Sequence, residues 1–167
     1  NDGHYTAATS LTGQLQDLTA TVTKDQFDND LDASAQAKAT EEGWYFQLDV
    51  PAAYPTERVL GKALVVSGVV FFTSFVPNQD VCGYGGDSRL YAIDYLYGVV
   101  DDLVLDEMAS TERHIDIGTG IPSEPVFYFD PKKKKASVLV QKSNSEIINR
   151  DPNLNERPML INSWRAR

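Results

Sequence analysis

Asp28, Asp30 and Asp32 alternate in the run Asp28-Asn29-Asp30-Leu31-Asp32. That spacing supplies the first three ligands of a calcium loop. A complete EF-hand loop also needs Gly at its sixth position and a bidentate carboxylate at its twelfth. Ala33 and Ala39 stand there instead. The run therefore reads first as a solvated acidic loop, with a loose calcium site as the sharper alternative. The chain has one cysteine and two histidines. His4 and His114 lack the short spacing of a metal-binding pair, and both read as ordinary residues. Cys82 and His114 could be drawn as a nucleophile and its base, but no third group to orient them is evident, and no Gly-x-Ser-x-Gly elbow occurs. No catalytic residue is expected. Gly83-Tyr84-Gly85-Gly86 is rich in glycine, yet the β-prone stretch from Ser88 to Tyr95 follows it, where a phosphate cradle would need a helix. Tyr84, Gly85 and Gly86 are instead the expected point of contact with a partner, at the tip of an exposed loop.

Composition narrows the function classes. The 167 residues carry a net charge of −9, and 42% of them are hydrophobic. A chain this long can bury a core, and its apolar content argues against wholesale disorder. The acidic balance disfavours a general nucleic-acid surface, which needs clustered positive charge. Lys132 to Lys135 form the single basic block and read as a solvated hairpin tip, with contact to an anionic partner as the alternative. No apolar run reaches the roughly 18 residues that would cross a bilayer as a helix. One cysteine excludes a disulfide within these residues, although Cys82 could pair with a cysteine elsewhere or stay a quiet thiol. Asn1-Asp2-Gly3-His4 has no signal-peptide pattern, and is expected to be a boundary inside a longer protein.

Period-two alternation dominates and predicts an all-β fold. Strands are expected at 14–23 and 43–50, the second closed by Pro51. Between them, 25–40 is Ala-rich but has no apolar stripe, and reads as an irregular excursion or a short surface helix. Arg58–Val66 and Val69–Val76 form the clearest hairpin, turning at Ser67-Gly68, where positive φ is needed. Further strands are expected at 88–95, 126–129, 136–141, 146–149 and 159–164, while 99–112 is ambiguous. Turn signals every ten residues or so fit a sandwich, a barrel or propeller blades. The order strand, hairpin, loop, strand recurs in weaker form after residue 120, and four-stranded blades take about 40–50 residues. Propeller-type blades of antiparallel strands are therefore expected, with 1–56 as outer strands of a preceding blade, 57–118 as one blade and 119–167 as a last one. So few blades do not close a ring, so a fragment of a larger propeller is implied. Trp44, Tyr45, Phe46, Phe71, Phe72, Phe127 and Phe129 read as packing residues.

In this order and spacing, several segments carry a resemblance: GWYFQLDVP, then ERVLGKALVVSGVVFFTSFVPNQDVCGYGGDSRLYAIDY, GIPSEPVF and the closing INSWRAR. Together they resemble the C-terminal propeller of type IV pilus-associated adhesins. The resemblance implies a cell-surface, extracellular protein that supports pilus biogenesis and adhesion. It would act through contacts with pilins or minor pilins, and with host or abiotic surfaces. It implies no enzymatic activity and no cofactor, apart from calcium in the full-length protein. Leu90-Tyr91-Ala92-Ile93-Asp94 also resembles the repeat of quinone-dependent propeller dehydrogenases, but the Thr of that family's following turn is missing. A fragment of such an enzyme and a carbohydrate-binding propeller are the two alternatives.

Overall fold

The computed structural model describes residues 15–48, 56–78, 85–100, 105, 108 and 112–152. These residues are mostly β, in antiparallel sheets, and among them neither a closed barrel nor a closed propeller is formed. The elements are β1 (Gln16–Asp17), α1 (Lys24–Asn29), α2 (Ala33–Glu41), β2 (Trp44–Tyr45), β3 (Arg58–Val59), β4 (Leu64–Val66), β5 (Val69–Pro77), β6 (Gly86–Asp94), β7 (His114–Thr119), β8 (Val126–Asp130), β9 (Lys135–Gln141) and β10 (Ile147–Arg150). The segment 159–164 lies outside the described residues. So do Cys82, Tyr84 and His4.

The expected hairpin is present. Val66 pairs with Val69 across Ser67-Gly68, where φ is +50° and +82°. Two successive positive-φ residues give the connection whose twist matches the flanking strands. Its first arm is interrupted, however. Arg58 and Val59 pair with Phe75 and Ser74, and Leu64 to Val66 pair further along β5, so 60–63 leave the ladder. β5, β6 and β7 continue the meander, with β6 antiparallel to both neighbours. An extra residue of β7 between Arg89↔Asp116 and Ser88↔Gly118 bulges the edge. β8, β9 and β10 make a second, three-stranded meander. Asp130 Oδ1 accepts from the backbone N–H of Lys132 and of Lys133, which sets the lysine-rich turn at the tip of its first hairpin.

Alternation places the core between these two sheets. Val69 and Phe71 of β5, Leu90 and Ala92 of β6, and Ile115 and Ile117 of β7 cluster with Ala136, Val138 and Val140 of β9 and Ile148 of β10. Phe71, Leu90 and Val138 are completely buried, and burying each such side chain contributes roughly 1.5–3 kcal/mol.

The N-terminal expectation needs correction. The strands expected at 14–23 and 43–50 are each two residues long where described, and they pair in parallel, Gln16 with Trp44 and Asp17 with Tyr45. A parallel pair needs a crossover, and α1 and α2 supply it. Thr23 caps α1 with a full capping box: its side chain accepts from the Gln26 N–H, and Gln26 reaches back to the Thr23 N–H. Asp32 caps α2 by accepting from the Ala35 N–H. These caps hold two helices that have little apolar surface, burying only Phe27 and Ala39. Leu18, Phe27, Ala39 and Val99 form a second small core, with Leu31, Trp44 and Tyr97 against it. The unit docks on the five-stranded sheet through a parallel bridge from Thr23 to Val100 and the bond from Trp44 Nε1 to the Tyr95 carbonyl. Residues 15–48 are thus a helical crossover between two short parallel strands, and the short-helix alternative for 25–40 holds.

Candidate functional site

β6 is the central strand, and both of its faces are covered. Leu90 and Ala92 point into the inter-sheet core. Arg89 and Tyr91 point the other way, beside Phe72 and Ser74 of β5, their cross-strand partners. A charged side chain so placed needs a partner, and Glu57, just before β3, provides it. The Glu57 carboxylate is fully enclosed and accepts from Arg89 Nη1 at 2.8 Å, from the Tyr91 hydroxyl at 2.8 Å, and from the Ser74 hydroxyl. Burial raises the Tyr91 phenol above the ordinary tyrosine range, and the adjacent Glu57 charge and hydrogen bond raise it further. Tyr91 is therefore held as a neutral donor. Arg89 also reaches Asp116 of β7, at 3.5 Å.

Aromatic rings extend this cluster toward the N-terminal unit. Phe72 stacks on Tyr91 at 4.6 Å between centroids and 6° between planes. Phe46 lies 6.2 Å from Tyr91 and 6.1 Å from Trp44. The His114 ring sits 5.0 Å from Tyr91. The Arg113 guanidinium lies 4.5 Å over Phe46 and donates to the carbonyls of Leu18, Thr19 and Thr21. It therefore ties the start of β7 to the loop after β1. A cavity of about 290 Å³ opens beside these rings, lined by Thr19, Val22, Phe46, Gln47, Tyr91, Glu112, Arg113 and His114.

The outer face of β8–β9–β10 is the second candidate. Val126, Tyr128 and Ile147 are 55%, 53% and 65% exposed. A shallow depression of about 540 Å³ runs over this face past Tyr128, Lys133, Lys135, Leu139, Asn149 and Asp151.

The residues singled out by sequence have different fates. Asp28 lies on α1 and pairs with Lys24, one helical turn away. Asp30 is the C-cap of α1, and the carboxylate of Asp32 is engaged in capping α2. The spacing that suggested a calcium loop is thus used to end one helix and begin the next. Among the described residues, no three His, Cys, Asp or Glu side chains come together to hold a metal. Gly86 is buried and begins β6. A Cβ there would lie 2.1 Å from the Val76 carbonyl oxygen, and its φ is +148°. With Gly85 at φ +85°, it allows the chain to enter the ladder beside β5, so its glycine has a structural reason. Tyr84, the third residue of the expected contact, is not among the described residues. His114, read from sequence as an ordinary residue, is half-buried in the wall of the cavity. Glu57, Arg89, Phe46 and Arg113 escaped sequence reasoning as a group. The available signal was Arg89 and Tyr91 alternating with Leu90 and Ala92, which makes β6 a central strand with a charge to satisfy.

No protein-family model matches the chain, no curated protein matches its sequence, and no solved structure matches its fold. Among the described residues no helix is long and apolar enough to cross a membrane.

Proposed function

We propose that the chain is a protein-contact module of a bacterial surface protein, part of a propeller that supports type IV pilus assembly and adhesion. One observation carries this reading: segments far apart in sequence, on which the resemblance rests, meet in a single cluster. Trp44 and Phe46 come from the Gly-Trp-Tyr-Phe segment, Glu57 from Glu-Arg-Val, Phe72 and Ser74 from the hairpin, and Tyr91 from Leu-Tyr-Ala-Ile-Asp. Their order and spacing are what one structural unit requires. In this reading the two meanders, packed face to face, are successive blades, and the rest of the ring lies in a longer protein. The contact surface in this reading is the outer face of β8–β9–β10, where Val126, Tyr128 and Ile147 stand exposed on a short sheet whose edge strands pair with no further strand among the described residues. Pilins or minor pilins are the partners, outside the cell.

The test is made in the bacterium that encodes the protein. Deleting 57–152 from the full-length protein abolishes surface pili and attachment. Replacing Val126, Tyr128 and Ile147 together by Lys reduces both while the secreted protein stays folded. Normal piliation and adhesion in the deletion strain would contradict the assembly role. Normal piliation in the triple variant alone would move the contact to another face.

A further inference from the structure

The turn at 132–135 concentrates positive charge in an acidic chain. Residues 120–152 hold six of the 15 Lys and Arg but only four of the 24 Asp and Glu, in a chain of net charge −9. Lys135 is paired with Asp151 at 2.7 Å. Lys132, Lys133 and Lys134 are exposed, and among the described residues their ammonium groups have no hydrogen-bond or ion-pair partner. The backbone that carries them is fixed. Asp130 Oδ1 accepts from the N–H of Lys132 and of Lys133, and Asp130 pairs with Lys135 to close the hairpin.

The same sheet continues from this turn as an apolar surface. Alternation puts Val126, Tyr128, Leu139 and Ile147 on its outer side, opposite Val138, Val140 and Ile148 in the core. Register sets Val126 beside Leu139, with Tyr128 beside Ser137 nearer the turn. The depression of about 540 Å³ joins the two regions, because it passes Tyr128 and Leu139 and reaches Lys133 and Lys135. An occupant therefore meets apolar side chains and unpaired positive charge together.

Three classes of anion answer such charge, and the face separates them. Nucleic acid presents phosphate along its whole length, and a chain of net charge −9 repels it everywhere but here. A bilayer laid on this face would bury Asp130 and Asp151, which line the same depression, away from the water that solvates them. A protein segment that mixes carboxylates with apolar side chains meets both the lysines and the apolar surface. Its amide groups also find partners in Ser137 and Asn149 of the depression.

We propose that the outer face of β8–β9–β10 takes an acidic, apolar segment of a partner protein, with its apolar side chains against Tyr128 and Leu139 and its carboxylates toward Lys132, Lys133 and Lys134. The inference rests on the reading of this face as the pilin contact and adds the chemistry of the partner. Negative charge elsewhere on the chain turns an acidic partner away, so the lysine turn also orients its approach.

The experiment measures binding of the full-length protein to each purified pilin and minor pilin of the encoding bacterium, at about 50 and about 500 mM salt. At least one binds, and its affinity falls about tenfold or more at the higher salt. Lys132→Glu, Lys133→Glu and Lys134→Glu together weaken that binding about tenfold or more. Thermal unfolding stays unchanged, because these ammonium groups hold nothing in the fold. The corresponding triple change to Arg keeps the binding. Replacing Val126, Tyr128 and Ile147 by Ser weakens it too, without altering charge. Binding that ignores salt, survives the Glu variant and is lost in the Ser variant overturns the acidic partner and leaves the pilin contact standing. No binding by any pilin, or binding that both variants leave intact, removes the contact reading and the inference together. Heparin or phosphatidylglycerol vesicles bound as tightly as the pilin would show a general polyanion patch and overturn the proposal.

Discussion

On one side of β5 and β6, Val69, Phe71, Leu90 and Ala92 meet Val138 and Val140 of β9 in an apolar cluster, with the buried Lys142 held on the Ile117 carbonyl at its edge. On the other side of the same two strands, Ser74, Arg89 and Tyr91 surround the carboxylate of Glu57, with Phe72, Phe46 and Trp44 stacked beyond. Both faces are buried, but by different means. The apolar face gains from area and shape, tolerates swaps of equal volume and grades its losses by volume removed. The polar face depends on every partner being present, because a buried charge that loses its partner carries the full cost of its desolvation.

The largest effect should come from the apolar side. Phe71→Ala removes a fully buried ring and is expected to cost about 3–5 kcal/mol. Because the cluster joins both sheets, protection from hydrogen exchange falls in β9 as well as in β5. Loss confined to β5 and β6 would show that the two meanders are separate cores. Next is Glu57→Ala, which leaves Arg89, Tyr91 and Ser74 without their acceptor. Removing one partner of a buried pair costs about 3–5 kcal/mol. Arg89 is 21% exposed and also faces Asp116, so the lower end, about 3 kcal/mol by denaturant unfolding, is expected. A cost below about 1 kcal/mol would erase the contrast between the faces.

Tyr91→Phe comes third. It keeps the ring stack and removes one hydrogen bond to a carboxylate, at about 1.5–3 kcal/mol. It also has a signature in pH. The folded chain keeps the Tyr91 proton at a pH where the unfolded chain has lost it. The unfolded state then binds fewer protons, so stability falls as pH rises above about 10, the ordinary tyrosine value. The contribution is intact below that pH and is lost upward from it, and Tyr91→Phe flattens this alkaline slope. The smallest effect is on the three-stranded sheet. Hydrogen bonding and attraction from Lys142 hold the Glu146 carboxyl below its usual range, so its contribution is present at neutral pH and lost as pH falls through that lowered value. Glu146→Gln should remove this acid-side dependence with little change at pH 7, since Glu146 is largely solvated while Lys142 keeps the Ile117 carbonyl.

Much of the β architecture was legible. Ser67-Gly68 between β-branched arms announces its own turn, and the alternation in 69–76, 88–95 and 136–141 fixes which residues face the core. The α1–α2 pair was harder, because most of the helical evidence in 24–41 lies in caps, not in an apolar stripe. Thr23-x-x-Gln26 and Asp32 are the readable signals, and the alternating aspartates drew attention away from them. Parallel pairing of Gln16 with Trp44 has no local signature at all, since it depends on what the crossover does. Glu57 was invisible for a different reason. A lone acid ahead of a strand looks solvated until the register of β5 on β6 brings Ser74, Arg89 and Tyr91 around it, and register is a long-range property.

A double-mutant cycle between Glu57 and Arg89 tests most directly whether this carboxylate binds the separate segments into one unit. Unfolding free energies of Glu57→Ala, Arg89→Ala and the double variant give the coupling. The structure predicts at least about 1 kcal/mol, with the double variant no less stable than Glu57→Ala alone. Additive losses, within about 0.5 kcal/mol, would mean that the cluster does not hold the segments together.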